Sequence, residues 1–259
     1  MKRLLYLIFI SFLFILSCEK DEFPACNCGG NSSDKICSQY LFENDESIGY
    51  INFEYNSQHL LTKKSYFNKN GGIKKLSIFE YSNKLLTKET VYKSNNSIDY
   101  IRLYTYNSYD SINSISCVRD DIEFSKITIE YNNERKRITQ KEFEASTLKI
   151  KSAYEYDSEG LLLKIKKYDG NDSLQSMNMY EFFLDNIIKI RNYGTEYSYL
   201  GNDVFKFDDK KQIINAFHYG SANNLVSSEV GEFENSLLSK KTVYNAENKV
   251  ISYAVFKYY

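Results

Sequence analysis

Along this 259-residue chain one polarity pattern recurs: an apolar or aromatic residue, a polar residue, then an aromatic one. The triplet stands at Phe53-Glu54-Tyr55, Phe79-Glu80-Tyr81, Tyr104-Thr105-Tyr106, Ile129-Glu130-Tyr131, Tyr154-Glu155-Tyr156, Tyr180-Glu181-Phe182, Phe205-Lys206-Phe207, Gly231-Glu232-Phe233 and Phe256-Lys257-Tyr258. Successive copies lie 25 or 26 residues apart, a regularity that marks a repeat protein. Between the triplets, paired aliphatics lead to a further aromatic, as Leu85-Leu86 to Tyr92, Leu161-Leu162 to Tyr168 and Leu237-Leu238 to Tyr244. The alternation is plain in Ile127-Thr128-Ile129-Glu130-Tyr131, and a period of two puts rings on one face and Glu, Thr or Lys on the other. Turn-forming residues punctuate both ends of each unit, as at Asn132-Asn133, Asp157-Ser158-Glu159-Gly160 and Asn68-Lys69-Asn70-Gly71-Gly72.

Each repeat therefore reads as a β-hairpin. Roughly 25 residues less two turns of about four leave two strands of about eight, so eight intervals predict about sixteen strands. Short links force antiparallel neighbours, which predicts an all-β, up-and-down meander rolled into a barrel or strongly curved sheet. Rings at constant register are expected to fill the interior of that rolled sheet.

Composition agrees. The chain has 24 Tyr, 17 Phe, a single Pro and no Trp, and with 42% hydrophobic and 26% charged residues it is neither disordered nor a helical membrane protein. A net charge of −1 and two histidines give no nucleic-acid footprint and no His-built metal centre.

The N-terminus departs from the repeat. Met1-Lys2-Arg3 precedes an apolar run from Leu4 to Leu16, a basic region followed by a stretch too short to span a bilayer comfortably as a helix. Its end, Ile15-Leu16-Ser17-Cys18, resembles a bacterial lipobox, which implies a signal peptide over 1–17 and diacylglycerol on the Cys18 thiol. Loss of Lys2 and Arg3 would leave the mature chain at −3. Glu19-Lys20-Asp21-Glu22-Phe23 resembles the surface-export signal of Bacteroidetes lipoproteins. Residues 18–45 are expected to form a tether and 46–259 the repeat domain. Lipid anchoring implies an outer-membrane location, facing the periplasm or the cell surface, with the surface favoured.

Four further cysteines, Cys26, Cys28, Cys37 and Cys117, are disulfide candidates in an oxidising compartment, with the connectivity open: two of the first three stapling the tether to itself would leave the third for Cys117. Cys26-Asn27-Cys28 with Cys37 and no nearby His is a poor match to a zinc site.

Tyr154-Glu155-Tyr156-Asp157-Ser158-Glu159-Gly160-Leu161-Leu162 resembles the YD repeat of Rhs-type proteins, in which a Tyr-x-Tyr-Asp strand end meets a Gly turn and an aliphatic. From about residue 50 to 259 the chain resembles Bacteroidetes lipoproteins of unknown function built from degenerate repeats, including a domain described as porin-like in fold. Asp110-Ser111-Ile112 and Asp172-Ser173-Leu174 resemble the Asp-Ser/Thr-aliphatic sites of O-glycosylation in that phylum, which makes Ser111 and Ser173 candidate modification sites.

No Walker loop, dinucleotide fingerprint, His-Glu-x-x-His or Gly-x-Ser-x-Gly occurs, and no catalytic residue, metal or cofactor is expected. His59 and His218 fall in different repeats. Glu54, Glu80, Glu130, Glu155, Glu181 and Glu232 recur with the period, and a carboxylate present in most copies serves the sheet. The reading that follows is a lipid-anchored, non-enzymatic envelope protein acting by recognition of a glycan or protein, or as a structural component. An integral outer-membrane barrel is the alternative, opposed by lysines such as Lys164, Lys166 and Lys167; a glycan-processing enzyme is a third.

Overall fold

The computed structural model describes residues 35–184 and 186–258. In chain order the strands are β1 (Ile36–Glu43), β2 (Glu46–Tyr55), β3 (Leu61–Asn68), β4 (Ile73–Ser82), β5 (Leu85–Lys93), β6 (Ile98–Tyr106), β7 (Ile112–Arg119), β8 (Ile122–Tyr131) and β9 (Arg137–Glu144). There follow β10 (Thr147–Tyr156), β11 (Leu162–Asp169), β12 (Leu174–Phe183), β13 (Ile187–Tyr193), β14 (Tyr199–Phe207), β15 (Ile213–Gly220), β16 (Leu225–Glu234), β17 (Leu237–Asn245) and β18 (Val250–Tyr258). One 3₁₀ turn, Thr195–Tyr197, is the sole helical element among the described residues.

Every strand pairs antiparallel with its sequence neighbours, and β18 returns onto β1, with Tyr40 opposite Val255 and Phe42 opposite Tyr253. The meander is thus a closed barrel. It has eighteen strands rather than about sixteen: the nine triplets each end an even-numbered strand, eight strands lie between them, and β1 precedes them all. β1 falls within the stretch expected as tether, so the domain starts ten residues before the expected boundary at 46. Ile36–Glu43 lacks the ring-polar-ring triplet, yet its backbone is what joins β18 to β2.

Opposed residues in an antiparallel ladder share a face. One face carries the first ring of each triplet; the other carries the recurrent glutamates. All six pair with a cation across the ladder: Glu54 with Lys63 at 2.8 Å, Glu80 with Lys88 at 2.9 Å, Glu130 with Lys141 at 3.0 Å, Glu181 with Arg191 at 2.9 Å, Glu232 with Lys240 at 3.6 Å, and Glu155 with Lys164 and Lys166. Such pairs are half-exposed and contribute about 0.2–1 kcal/mol each.

The rings are not a packed interior. Of the first triplet residues only Ile129 is a buried large side chain, and just eight hydrophobic residues are buried among those described, too few for a filled core. A ring of eighteen strands is too wide for side chains to fill, and the backbone of each strand runs close only to its ladder neighbours, apart from β12, which also meets the 3₁₀ turn, while long side chains reach one strand further. The rings are covered sideways instead: the Lys64 ammonium sits 5.4 Å from the Phe53 ring and 4.9 Å from Tyr66, Lys75 lies 5.6 Å from Tyr66 and 5.7 Å from Tyr100, and Arg102 lies 5.1 Å from Tyr100. Cationic stems laid over aromatic faces shield them without burying the charge.

The period itself has a cause. In most copies the ladder slips by one residue at the last ring, so Tyr55 faces Leu61, Tyr81 faces Leu86, Tyr106 faces Ile112 and Tyr131 faces Arg137 across a β-bulge. The carbonyl of that opposed residue accepts the hydroxyl of the next copy's tyrosine: Tyr81 donates to Leu61, Tyr106 to Leu86, Tyr131 to Ile112 and Tyr156 to Arg137, all at 2.7–2.8 Å. Tyr258 closes the series on Leu238 at 2.9 Å. Each repeat is thereby latched to the one before it.

Turns obey local chemistry. Asn56, Asn107, Asn132, Asp157 and Asp208 open alike, the side-chain Oδ1 accepting N–H groups two and four residues on. The fourth residue is left-handed, as at Gly160 (φ 83°), and His59 (φ 61°) occupies the same position in its turn. Two-residue turns such as Asn83-Lys84 and Asn235-Ser236 have both residues left-handed, the twist that a hairpin needs.

Two outcomes are expected. Tyr106→Phe removes one latch and should lower stability by about 1 kcal/mol in urea unfolding, a hydrogen bond's net worth. Burial holds the Tyr81, Tyr106, Tyr156 and Tyr258 hydroxyls above the ordinary tyrosine value. Their contribution is therefore fully present below about pH 10 and is lost as pH rises through the higher folded values. Absorbance titration should show these phenols ionising together with loss of β-structure.

Candidate functional site

The repeat decays in one sector. The last triplet residue is Phe, not Tyr, in three consecutive copies, Phe182, Phe207 and Phe233, so the hydroxyl latch is absent there. In the last of these the first ring is replaced by Gly231. A Cβ at this glycine would stand 3.0 Å from the Ile213 carbonyl oxygen and 3.0 Å from the Phe233 ring, so even alanine would be crowded. Opposite the neighbouring Phe205 lies the buried Ala216, and Ala216 in turn faces Glu229. Beside these two small residues lies a cavity of about 430 Å³, lined by Phe205, Ile213, Ala216, Phe233 and Leu238. Glu229 and Lys241 border it as an ion pair at 2.6 Å.

A polar track runs beside this cavity on the same face. His218 Nδ1 lies 2.7 Å from Asp203 Oδ1, Asn192 donates to Asp203 Oδ2 at 2.9 Å, and Asn178 donates to Asn192 at 2.6 Å. Four strands, β12 to β15, each supply one member. The His218 ring stands edge-on to Phe205, centroids 6.4 Å apart, which joins the track to the cavity wall. Asp203 uses both carboxylate oxygens to orient its neighbours, leaving the far imidazole nitrogen without a partner among the described residues. The result is an apolar concavity with aromatic walls, bordered by the Glu229 carboxylate and the Lys241 ammonium, with the His218 imidazole behind the Phe205 wall. It suits a ligand with one apolar face and several hydroxyls.

Other features carry the sheet's ordinary chemistry. A larger concavity of about 730 Å³ lies at the same end on the opposite face, bordered by Glu232, Lys240 and Lys257, members of the repeating pattern. On the ring face, buried Glu89 is answered by Arg102 at 2.7 Å, and the Tyr104 phenol, 3.5 Å from Glu89, is pushed up to about 12 by burial and then by that carboxylate.

Cys117, one of the four disulfide candidates, is a free thiol, opposite Arg102 and Ser125 in the middle of β7. Cys37 is disulfide-bonded, to a partner outside the described residues. The two lie six strands apart, a span of about 29 Å along the sheet at ~4.8 Å per strand, far beyond disulfide reach. Cys18, Cys26 and Cys28 lie outside the described residues. Ser111 and Ser173 close identical turns, their N–H groups donating to Asn107 and Asp169, and Asp110 and Asp172 before them are left-handed. The shared tripeptide follows from that shared turn. His59 and His218 are not brought together. Among the described residues no cluster of His, Cys, Asp or Glu could hold a metal.

No family model and no curated protein matches the chain. Among solved structures it is similar to a porin-like protein from Bacteroides uniformis, at 11% identity and a TM-score of 0.49, over 89% of this chain and 98% of that one. A porin-like protein from Bacteroides vulgatus is similar at 10% identity and a TM-score of 0.40, over 86% and 98%. The Tc holotoxin pore of Photorhabdus luminescens is similar at 13% identity and a TM-score of 0.40, over 79% of this chain, which spans 12% of that one.

Asp203→Ala should strand both Asn192 and His218 and cost about 1–3 kcal/mol in urea unfolding, as expected when partly buried polar groups lose their partner.

Proposed function

We propose that this chain is a lipid-anchored, non-enzymatic protein of the cell envelope whose water-exposed barrel recognises a carbohydrate. The observation that carries the first half is the presence of ionised groups at mid-strand on both faces. Lys64, Lys75 and Arg102 stand on the ring face, and Lys88, Lys126 and Arg191 on the other. A membrane-spanning barrel needs an unbroken apolar band about 25 Å tall on one face, and each lipid-facing lysine at mid-depth costs about 2–4 kcal/mol. Neither face offers that band. Attachment then falls to the lipobox cysteine, Cys18, and the acidic run after it favours the outer surface.

The second half is carried by the cavity at Gly231. A sugar ring offers an apolar face to Phe205 and Phe233 and hydroxyls to Glu229 and Lys241, which line the cavity. The polar groups are already paired with one another, an arrangement suited to holding a neutral, hydroxylated ligand.

Cys18→Ser should shift the protein from the membrane fraction to the soluble one and abolish fatty-acid labelling. Protein lacking residues 1–18 should stay soluble without detergent; a detergent requirement would return the integral barrel to first place. On a glycan array followed by calorimetry, Phe205→Ala should weaken binding about tenfold, the ~1.4 kcal/mol within reach of one stacked ring. Binding unchanged by Phe205→Ala and Glu229→Gln would remove the cavity from the account.

A further inference from the structure

The two mouths of the barrel differ. Turns after even-numbered strands form one of them, and β1 begins there too, since Ile36 lies opposite Tyr258 at the end of β18. At this mouth the β12–β13 hairpin presents three consecutive large apolar residues, Phe182, Phe183 and Leu184, exposed to 43%, 51% and 103%. Beneath them lies an apolar groove of about 330 Å³, lined by Phe182, Phe183, Ile187, Ile188 and Phe207, with Lys211 at its border. The Lys211 ammonium is held beside the tip by Asn186 Oδ1 at 2.6 Å, and Lys210 is held next to it by the Ser236 hydroxyl. The opposite mouth also exposes apolar residues, but in ones and twos rather than three in a row: Ile48, Ile73, Ile98, Ile122 and Val226 one per alternate strand, Tyr197 and Leu200 around the start of β14, and Val250 with Ile251 in β18. Residues on alternate strands stand about 10 Å apart, and scattered apolar residues need no partner.

We propose that the mouth bearing Phe182, Phe183 and Leu184 rests on a phospholipid bilayer, the hairpin tip entering the interfacial layer while Lys210 and Lys211 meet lipid phosphates. The proposal rests on Cys18 being acylated. Cys18 precedes Ile36 by 18 residues, a chain that spans at most about 60–65 Å, so the anchor keeps the barrel close to the bilayer and the mouth where β1 begins is the one held nearest. Aromatic and aliphatic side chains at the tip with lysines just behind them match the depth order of an interface, apolar groups in the acyl boundary and cations among headgroups. The lipid supplies the attachment and this contact the orientation. Because Lys211 borders both the groove and the Gly231 cavity, the docked barrel holds its carbohydrate site near headgroup height.

The chain has no tryptophan, so one introduced indole reports without background. The acylated, full mature protein is reconstituted in phosphatidylglycerol-containing vesicles as Leu184→Trp and, for the other mouth, as Ile98→Trp. Fluorescence is quenched with lipids brominated on the acyl chain, and acylation is read separately from the mass of the N-terminal peptide. Quenching at least threefold stronger for Leu184→Trp is expected, and adding Lys210→Glu and Lys211→Glu should halve it. Equal quenching at both mouths, or stronger quenching for Ile98→Trp, on verified acylated protein overturns the docking and leaves the anchor standing. A blue shift of Leu184→Trp that follows protein concentration and ignores brominated lipid assigns the tip to a protein partner and likewise overturns it. Should the peptide prove unacylated, the anchor fails; mixing that protein with the same vesicles still decides the tip, quenching of Leu184→Trp upholding its affinity for lipid and no quenching refuting it.

Discussion

Closure of the backbone ladder is the constraint on which the rest of this molecule depends. An open single-layer sheet of this many strands would expose two edges of unpaired N–H and C=O groups and would be prone to edge-to-edge association. Pairing β18 with β1 removes both edges. It also frees the side chains from having to form a core, because the hydrogen-bonded ring, and not a packed interior, fixes the radius. That is why so few large residues are buried, and why charged residues can occupy mid-strand positions on both faces. Cation-covered rings and cross-strand ion pairs protect the ladder from either side.

The one-residue slip at each strand end turns this ring into a repeat. A bulge strengthens local twist but leaves a carbonyl poorly served by the ladder. In the regular copies the next repeat's tyrosine hydroxyl serves it, so the bulge of one copy is completed by the ring of its successor. Threonine and serine hydroxyls at the slip contribute similarly, Thr62, Thr87 and Ser239 donating to the carbonyls of Glu54, Glu80 and Glu232. The period of 25 or 26 residues is the chain length needed to return to the same bulge one hairpin later.

This also decides what the sequence could disclose. The triplets were legible because each of their positions faces a fixed chemical neighbour: ring, cation, carbonyl. The recurrent glutamates read as structural for the same reason, and every one has a cationic partner. β1 was illegible, since Ile36–Glu43 lacks the ring-polar-ring triplet and sits among cysteines that suggest a tether, although Tyr40 and Phe42 are buried and Phe42 stacks on Tyr253 at 4.4 Å. The Asp203–His218 pair was half legible. The turn opened by Asp208 is evident, but counting evenly outward from Phe207 opposite Ile213 sets Asp203 against Phe217, on the wrong face. Only the bulge between Lys206 and Phe207 moves His218 opposite Asp203, and a slip of one residue exchanges the two faces of a strand. Gly231 is read in the sequence as part of one triplet among nine; that a cavity lies beside it depended on the small Ala216 one strand away.

Repeat architecture explains why such a break is tolerated. Where each unit packs only against its neighbours, stability is close to a sum of local contributions. Losing the latch at Phe182, Phe207 and Phe233, and a ring at Gly231, then weakens three neighbouring hairpins without loosening the ladder elsewhere. In a domain with one shared core, a cavity of this size would draw on the stability of the whole, at roughly 24 cal/mol per Å³ of void. Here the void opens to water and both strands beside it keep their backbone pairing, β15 with β16 and β16 with β17. The irregular copies are therefore where this chain could acquire binding chemistry at least risk to its fold. That the aromatic wall, the only aspartate–histidine pair among the described residues and the apolar hairpin tip all fall between β12 and β17 is what such local accounting leads one to expect.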